Sequence, residues 1–246
     1  MSGPLPLGGA AWRQVVFGTP PVLDHNSRTR PTLRFAPRYG KDALMLVGQN
    51  QLLTTWVLDY LTRAGVVLRW KVYPFEWTMP EATKPSVPDF LVELAPDRRL
   101  VVIQAHAQKF LTPKVQATFD AESAVSKIAG MDHLVWTDLK PLGPGLRDLF
   151  AHIRRASRAD EDEESLARLV EAVTDAGMLT ITQIVEADLP PSLVAVGVHK
   201  LRLFVLLDRK LDGSTIVTVK PQTDGRAFLM MSAFDPESWW NSLEGK

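Results

Sequence analysis

Two short words in the chain hold residue types that do chemistry together. They are Pro88-Asp89-Phe90 and, fifteen residues on from the aspartate, Gln104-Ala105-His106. A carboxylate and an amide oxygen brought to one sheet edge suit a hard cation held by oxygens, Mg²⁺ or Mn²⁺, with the imidazole as a third polar group. Beside a phosphodiester, such a cation polarises the phosphoryl oxygen and lowers the pKa of the attacking water. Rival chemistries are thin. With zero cysteines the chain has no disulfide framework, thiolate zinc site, iron–sulfur centre or cysteine nucleophile. Gly143-Pro144-Gly145 lacks the preceding strand and the further glycines of a phosphate-binding loop, and no Ser/His/Asp arrangement appears. His25, His133, His152 and His199 have no ligand-like spacing and read as surface or packing residues.

The elements around these words must bring them together. Alternate residues of a strand share a face, so a strand over 87–94 aligns Asp89, Leu91 and Glu93, and one over 100–106 aligns Leu100, Val102, Gln104 and His106. Paired through a turn at Pro96-Asp97, the two set Asp89 opposite Gln104 and His106. Upstream, apolar residues at 52, 53, 56, 57, 60 and 61 predict a helix over 51–64 closed by Gly65, and 66–75 reads as a strand. Downstream, a helix over 112–128 turns Val115, Phe119, Ala124 and Ile128 inward and stops at Gly130, and a strand follows over 133–137. This makes an α/β core of about 90 residues, a plausible size for one domain.

The chain has 246 residues, with 28 Lys plus Arg against 28 Asp plus Glu, so no global basicity marks a general nucleic-acid or membrane binder. No apolar run nears the roughly 18 residues a membrane span needs. The start of the chain lacks the charged and apolar regions of a secretory signal. These features predict a cytoplasmic protein without a membrane partner. Charge is uneven locally: residues 1–50 hold six basic side chains and two acidic ones, and 151–200 hold five and nine. Residues 1–45 form a Pro-, Gly- and Arg-rich arm without a consistent period, docked either on the chain itself or on a partner or nucleic acid. A linker near 138–145 divides the core, 46–140, from a second half, 141–246. There, helices over 145–156, 164–176, 182–187 and 192–207 precede an extended pair, 215–220 and 227–231, turned by Asp224-Gly225. Helices followed by a two-stranded ribbon predict a mostly α, winged-helix-like domain. Its candidate recognition helix, 192–207, brings Lys200 and Arg202, with Arg209 just beyond, as candidate nucleic-acid contacts. That basic complement is thin, and protein docking is the other use of such a module. Trp239 and Trp240, with Phe234, either cap the second core or form a peg for a partner.

The order of elements, together with Pro88-Asp89-Phe90-Leu91-Val92-Glu93-Leu94, the apolar strand ending in Gln104-Ala105-His106, and Leu134-Val135-Trp136-Thr137-Asp138, resembles the PD-(D/E)xK nuclease superfamily. Within it the chain is similar to the TnsA-like endonuclease subunits of heteromeric transposases, over about residues 45–220, with Tyr73-Pro74 where that family often has Gln-Pro. The resemblance implies a restriction-endonuclease-like α/β core and metal-dependent hydrolysis of DNA at a transposon end. Asp89 and Gln104 would be ligands to Mg²⁺ or Mn²⁺, and His106 or Lys109 would stabilise charge on the phosphate. It also implies three partners: DNA, a transposase subunit and its ATP-dependent regulator. The chain departs from the family pattern twice. His106 stands where the motif has Lys, and the leading helix brings Gln49 or Gln51 where the family has a metal-bound Glu. One carboxylate, two amides and an imidazole make a poor Mg²⁺ site, because the amides bring no negative charge. The sequence thus predicts a nuclease fold with a degenerate site that acts in transposon-end binding and docking. The alternatives are an active Mg²⁺-dependent endonuclease, transposon-end or restriction-like, which recruits Glu93, Glu76 or Lys109, and a non-catalytic adaptor of a mobile-element or defence complex.

Overall fold

A computed structural model of the chain describes residues 17, 32–35, 44–76, 86–156, 163–207, 211–221 and 225–232. Strands β1 (Thr32–Phe35) and β2 (Leu44–Val47) pair antiparallel. Helix α1 (Gln49–Arg63) follows, then β3 (Val67–Val72), β4 (Phe90–Leu94) and β5 (Leu100–Ala105). After a 3₁₀ turn at Gln108–Phe110 come α2 (Pro113–Ile128) and β6 (Met131–Trp136). Strands β3 to β6 form one mixed sheet in sequence order. The pairs β3/β4 and β4/β5 are antiparallel, and β5/β6 is parallel with α2 as the crossover. The result is a mixed α/β core with helices on both faces. Every residue of β4 and β5 is buried, as expected of central strands covered on both sides.

The two faces differ. One carries Phe90, Val92, Val101, Ile103 and Trp136 and packs against α1. The other carries Leu91, Leu100, Val102 and Met131, covered by Val125 of α2, by Ala129 just past its end and by Phe17. Phe17, the one described residue of the first thirty, also lies 4.2 Å beneath the Arg69 guanidinium, so at this residue the arm docks on its own chain. Gly65 and Gly130, the predicted stops of α1 and α2, take φ of 72° and 68°, which glycine adopts without steric cost.

The inward face of α2 differs from the expectation. Of the four residues predicted to face inward, Phe119 is buried, but Ala124 is exposed and Ile128 is 82% exposed. The buried residues of the helix are Phe119, Glu122 and Ser126. The helix turns a partly polar stripe to the sheet, where Glu122 meets Gln104 and His133.

Beyond residue 143 lie α3 (Pro144–Ala156), α4 (Glu163–Ala176), β7 (Leu179–Thr180), α5 (Ile181–Glu186), α6 (Ser192–His199), β8 (Ile216–Val217) and α7 (Gly225–Leu229). A capping box between Thr180 and Gln183 starts α5. Two expectations are corrected. The helix predicted over 192–207 ends at His199: Leu201 takes a left-handed φ of 56°, and Phe204 exchanges both backbone hydrogen bonds with Thr218. The ribbon predicted from 215–220 and 227–231 is not formed. Ile216–Val217 pairs with Leu179–Thr180 instead, and Gly225–Leu229 is helical. That short helix is held from outside itself, by Arg226 Nη2 to Asp97 at 2.6 Å and by Phe228 edge-on to Trp136. Hydrophobic packing is continuous from α1 and the sheet into α3, α4 and α6. Among the described residues no helix is long and apolar enough to cross a membrane.

Candidate functional site

The site lies where the first turn of α1 meets the start of β4 and the end of β5. Asp89 sits in a bend one residue before β4, whereas the sequence placed it inside a strand over 87–94. Its register partner across the sheet is Gln104, since Phe90 pairs with Ile103. The Asp89 carboxylate accepts from Gln51 Nε2 at 2.5 Å on Oδ1 and from the Ala105 backbone N–H at 2.8 Å on Oδ2. The Asp89 N–H in turn donates to Gln104 Oε1 at 3.3 Å. Asp89, Gln104 and Gln51, three of the residues singled out from sequence, therefore meet.

The orientation of both amides follows from chemistry. A carboxylate can only accept, so the Gln51 atom facing Asp89 is its NH₂. The Gln51 oxygen is turned the other way and accepts from the Tyr73 hydroxyl at 2.6 Å. Likewise Gln104 gives its NH₂ to Glu122 Oε2 at 2.7 Å, which leaves its oxygen toward Asp89. Glu122 is 1% exposed and also bonds His133 Nε2, at 3.1 Å, and the Ser86 hydroxyl. Next to this group, burial raises the Asp120 carboxyl above its ordinary value, and the nearby His133 opposes that rise. Asn50, beside Gln51, donates to the His106 carbonyl at 2.8 Å and accepts from Arg147 of α3.

The residues offered for phosphate stabilisation lie differently. The His106 ring sits edge-on to Phe119 at 5.6 Å and to Phe110 at 6.4 Å, beyond the end of β5. Lys109 is exposed in the 3₁₀ turn with its Nζ 4.9 Å over the Phe110 ring. Glu93, an alternative acid, lies at the far end of β4 and is fully buried between Arg69 at 2.5 Å and Arg98 at 2.8 Å. Glu76 is exposed after β3. On the second half, Lys200 pairs with Glu163 at 2.8 Å and Arg202 pairs with the same carboxylate, so both spend charge within the protein. The candidate recognition helix is buried from Leu193 to Val198 and packs against α3 and α4, so it has no face to lay in a groove. Arg209, Trp239, Trp240, Phe234 and most of residues 1–45 lie outside the described residues.

Sequence reasoning missed Tyr73 as a partner of Gln51, and Glu122, Ser86 and His133 as partners of Gln104. The Glu122 signal was present: it lies three residues after Phe119 and four before Ser126, on one helix face.

The donor set does not fit Mg²⁺ or Mn²⁺. A hard cation wants several oxygens converging on it, with carboxylate charge among them. Here one carboxylate faces an amide NH₂ and a backbone N–H, and the Gln51 oxygen faces away. Among the described residues no group of three or more His, Cys, Asp or Glu could hold a metal. No family model matches the chain, and no curated protein matches it.

Proposed function

We propose that this chain is a nuclease-fold subunit of a DNA transposition complex, one that holds transposon-end DNA and docks on a transposase and its ATP-dependent regulator without cutting. The observation that carries the reading is the meeting of Gln51, Asp89 and Gln104 at one corner of a sheet built as helix, three antiparallel strands, helix, parallel strand. That is the arrangement which the likeness to PD-(D/E)xK and TnsA-like chains leads one to expect, with amides where charge belongs. DNA contact is supported by a rim at the C-terminal ends of β5 and β6. Lys109, Lys114 and Lys140 are exposed in the segments that follow these strands, and the Lys109 Nζ lies over the ring of Phe110, itself 56% exposed, a pairing of cation with aromatic face suited to a nucleic-acid strand. The order α4, β7, α5, α6, β8, with Phe204 paired to Thr218, supports a winged-helix-like second half. Since α6 is buried, that half serves docking. The transposase and regulator enter through the resemblance alone.

The test is plasmid nicking with Mg²⁺ or Mn²⁺ alongside gel-shift titration of transposon-end DNA. The expected result is no nicking above the Asp89→Ala background and salt-sensitive DNA binding that Lys109→Ala with Phe110→Ala weakens. Nicking by the wild type that Asp89→Ala abolishes would overturn the non-cutting role. Absent DNA binding would leave an adaptor.

A further inference from the structure

We propose that the Gln51 carboxamide stands in the place of a divalent cation at Asp89, and that this one side chain keeps the site indifferent to Mg²⁺ and Mn²⁺. The inference rests on reading the α1–β4–β5 corner as a nuclease-type site. A cation and an amide NH₂ answer the same need, positive potential against a carboxylate oxygen, but the amide brings its own donor and needs no ion. Gln51 Nε2 does this at 2.5 Å from Oδ1, and the Ala105 N–H covers Oδ2 at 2.8 Å.

The Asp89 carboxylate makes the arrangement one-way, because it only accepts and turning the amide over would set oxygen against oxygen. The Tyr73 hydroxyl then occupies the other end of the amide, donating to Gln51 Oε1 at 2.6 Å. Tyr73 is itself pinned. It is 3% exposed, its N–H donates to the Asp89 carbonyl at 3.0 Å, and its backbone holds φ at 44°, a conformation that bulky residues adopt only when their surroundings enforce it. On the other side, Glu122 holds the Gln104 amide so that its oxygen stays toward Asp89.

Exchanging the Gln51 NH₂ for an anionic oxygen changes the site with almost no change of shape. Two carboxylates at this distance cannot both ionise unless a cation or a proton sits between them. With the Gln104 oxygen adjacent, the exchange gathers the oxygens a hard cation asks for. Gln51→Glu is therefore expected to create a cation site at this corner.

The experiment uses the full chain and Mn²⁺ alone as probe, read by thermal melting in EDTA against MnCl₂ and by the electron paramagnetic resonance signal of free Mn²⁺. The wild type is expected to show no Asp89-dependent Mn²⁺ binding and no rise in Tm. Gln51→Glu should melt lower in EDTA and recover by roughly 3–6 °C at a tenfold excess of Mn²⁺ over its Kd. Adding Asp89→Asn should remove that recovery. If Gln51→Glu does not fold in EDTA, refolding in Mn²⁺ must rescue it; no rescue overturns the proposal. So does a wild type that binds one Mn²⁺ through Asp89, or a Gln51→Glu protein that folds and ignores Mn²⁺. DNA enters neither readout, so a loss of the transposition reading and a loss of this one are told apart.

Discussion

Glu122 is heavily committed, with one carboxylate serving Gln104, His133 and Ser86 from inside the protein. Its removal would leave the buried Gln104 amide and His133 ring without their partner, each costing about 1–3 kcal/mol, and would free the half-buried Ser86 hydroxyl. Glu122→Ala is therefore expected to destabilise the chain by about 3–5 kcal/mol in urea unfolding, with some relief in Glu122→Gln, whose remaining oxygen still accepts. A loss under about 1 kcal/mol would show that the group is solvated rather than buried. At this scale the sequence was informative where a residue type is rare in its setting. Gln104 inside an apolar strand, Asp89 after a proline, and a glutamine at the head of α1 all stood out, and all three meet. Partners drawn from distant elements did not stand out. Tyr73 looks like an ordinary strand end, and the role of Glu122 depends on the angular setting of α2, which periodicity alone fixes only to within one helix face.

At the scale of elements, that setting can be tested directly. Ile128 looks like a core residue in sequence and is 82% exposed, whereas Ser126 looks like surface and is fully buried. Ile128→Lys should change stability by no more than about 0.5 kcal/mol, and Ser126→Leu should cost about 1–3 kcal/mol through overpacking, both by chemical denaturation. The reversed result would restore the phase read from sequence. Helix α6 offers a second case. A Cβ added at Gly197 would lie 2.5 Å from Leu203 Cδ1, and Leu203 is fully buried, so Gly197→Ala should also cost about 1–3 kcal/mol despite its better helix propensity. The contact between α4 and the turn after α6 is electrostatic, and it has a sign. Lys200, and with it Arg202, holds the Glu163 carboxyl below its ordinary value of 4.5. A lowered folded value means that this contribution is complete above pH 4.5 and is lost as pH falls through the folded value. Glu163→Gln should flatten that part of a Tm-against-pH curve, and high salt should do the same. Strands and helices of the core were legible because their apolar patterns are strong. The end of α6 and the helix Gly225–Leu229 were not, because contacts with Thr218, Asp97 and Trp136 outweigh local preference there.

Across the whole molecule, the α/β sheet and the C-terminal helices share a core, and a few polar contacts fix how they meet. The Tyr60 hydroxyl of α1 donates to the Val205 carbonyl at 2.8 Å and accepts the Val205 N–H at 3.0 Å, across 145 residues of chain. Val135 donates to Ser232 at 3.1 Å, and Arg226 reaches the Ala95 carbonyl at 3.3 Å. Tyr60 also packs edge-on to Phe204 at 5.4 Å and beside Trp56 at 5.7 Å, so the join is both apolar and hydrogen-bonded. A boundary drawn at 138–145 cuts the chain at a loop, yet Leu142 within it and Leu146, Leu149 and Ile153 just beyond it are buried in the same core as α1 and the sheet. The halves are therefore expected to unfold together, in one transition by tryptophan fluorescence and far-ultraviolet circular dichroism alike. Tyr60→Phe keeps the ring and strands both polar groups of Val205. It should lower stability by about 1–3 kcal/mol and move both probes by the same amount. A fragment ending at residue 140 should fail to show a cooperative transition, because it bares the face of α1 and the sheet that the C-terminal helices cover. Two separated transitions in the full chain, or a fragment that folds with native-like stability, would show that the shared core contributes little and that the halves stand alone.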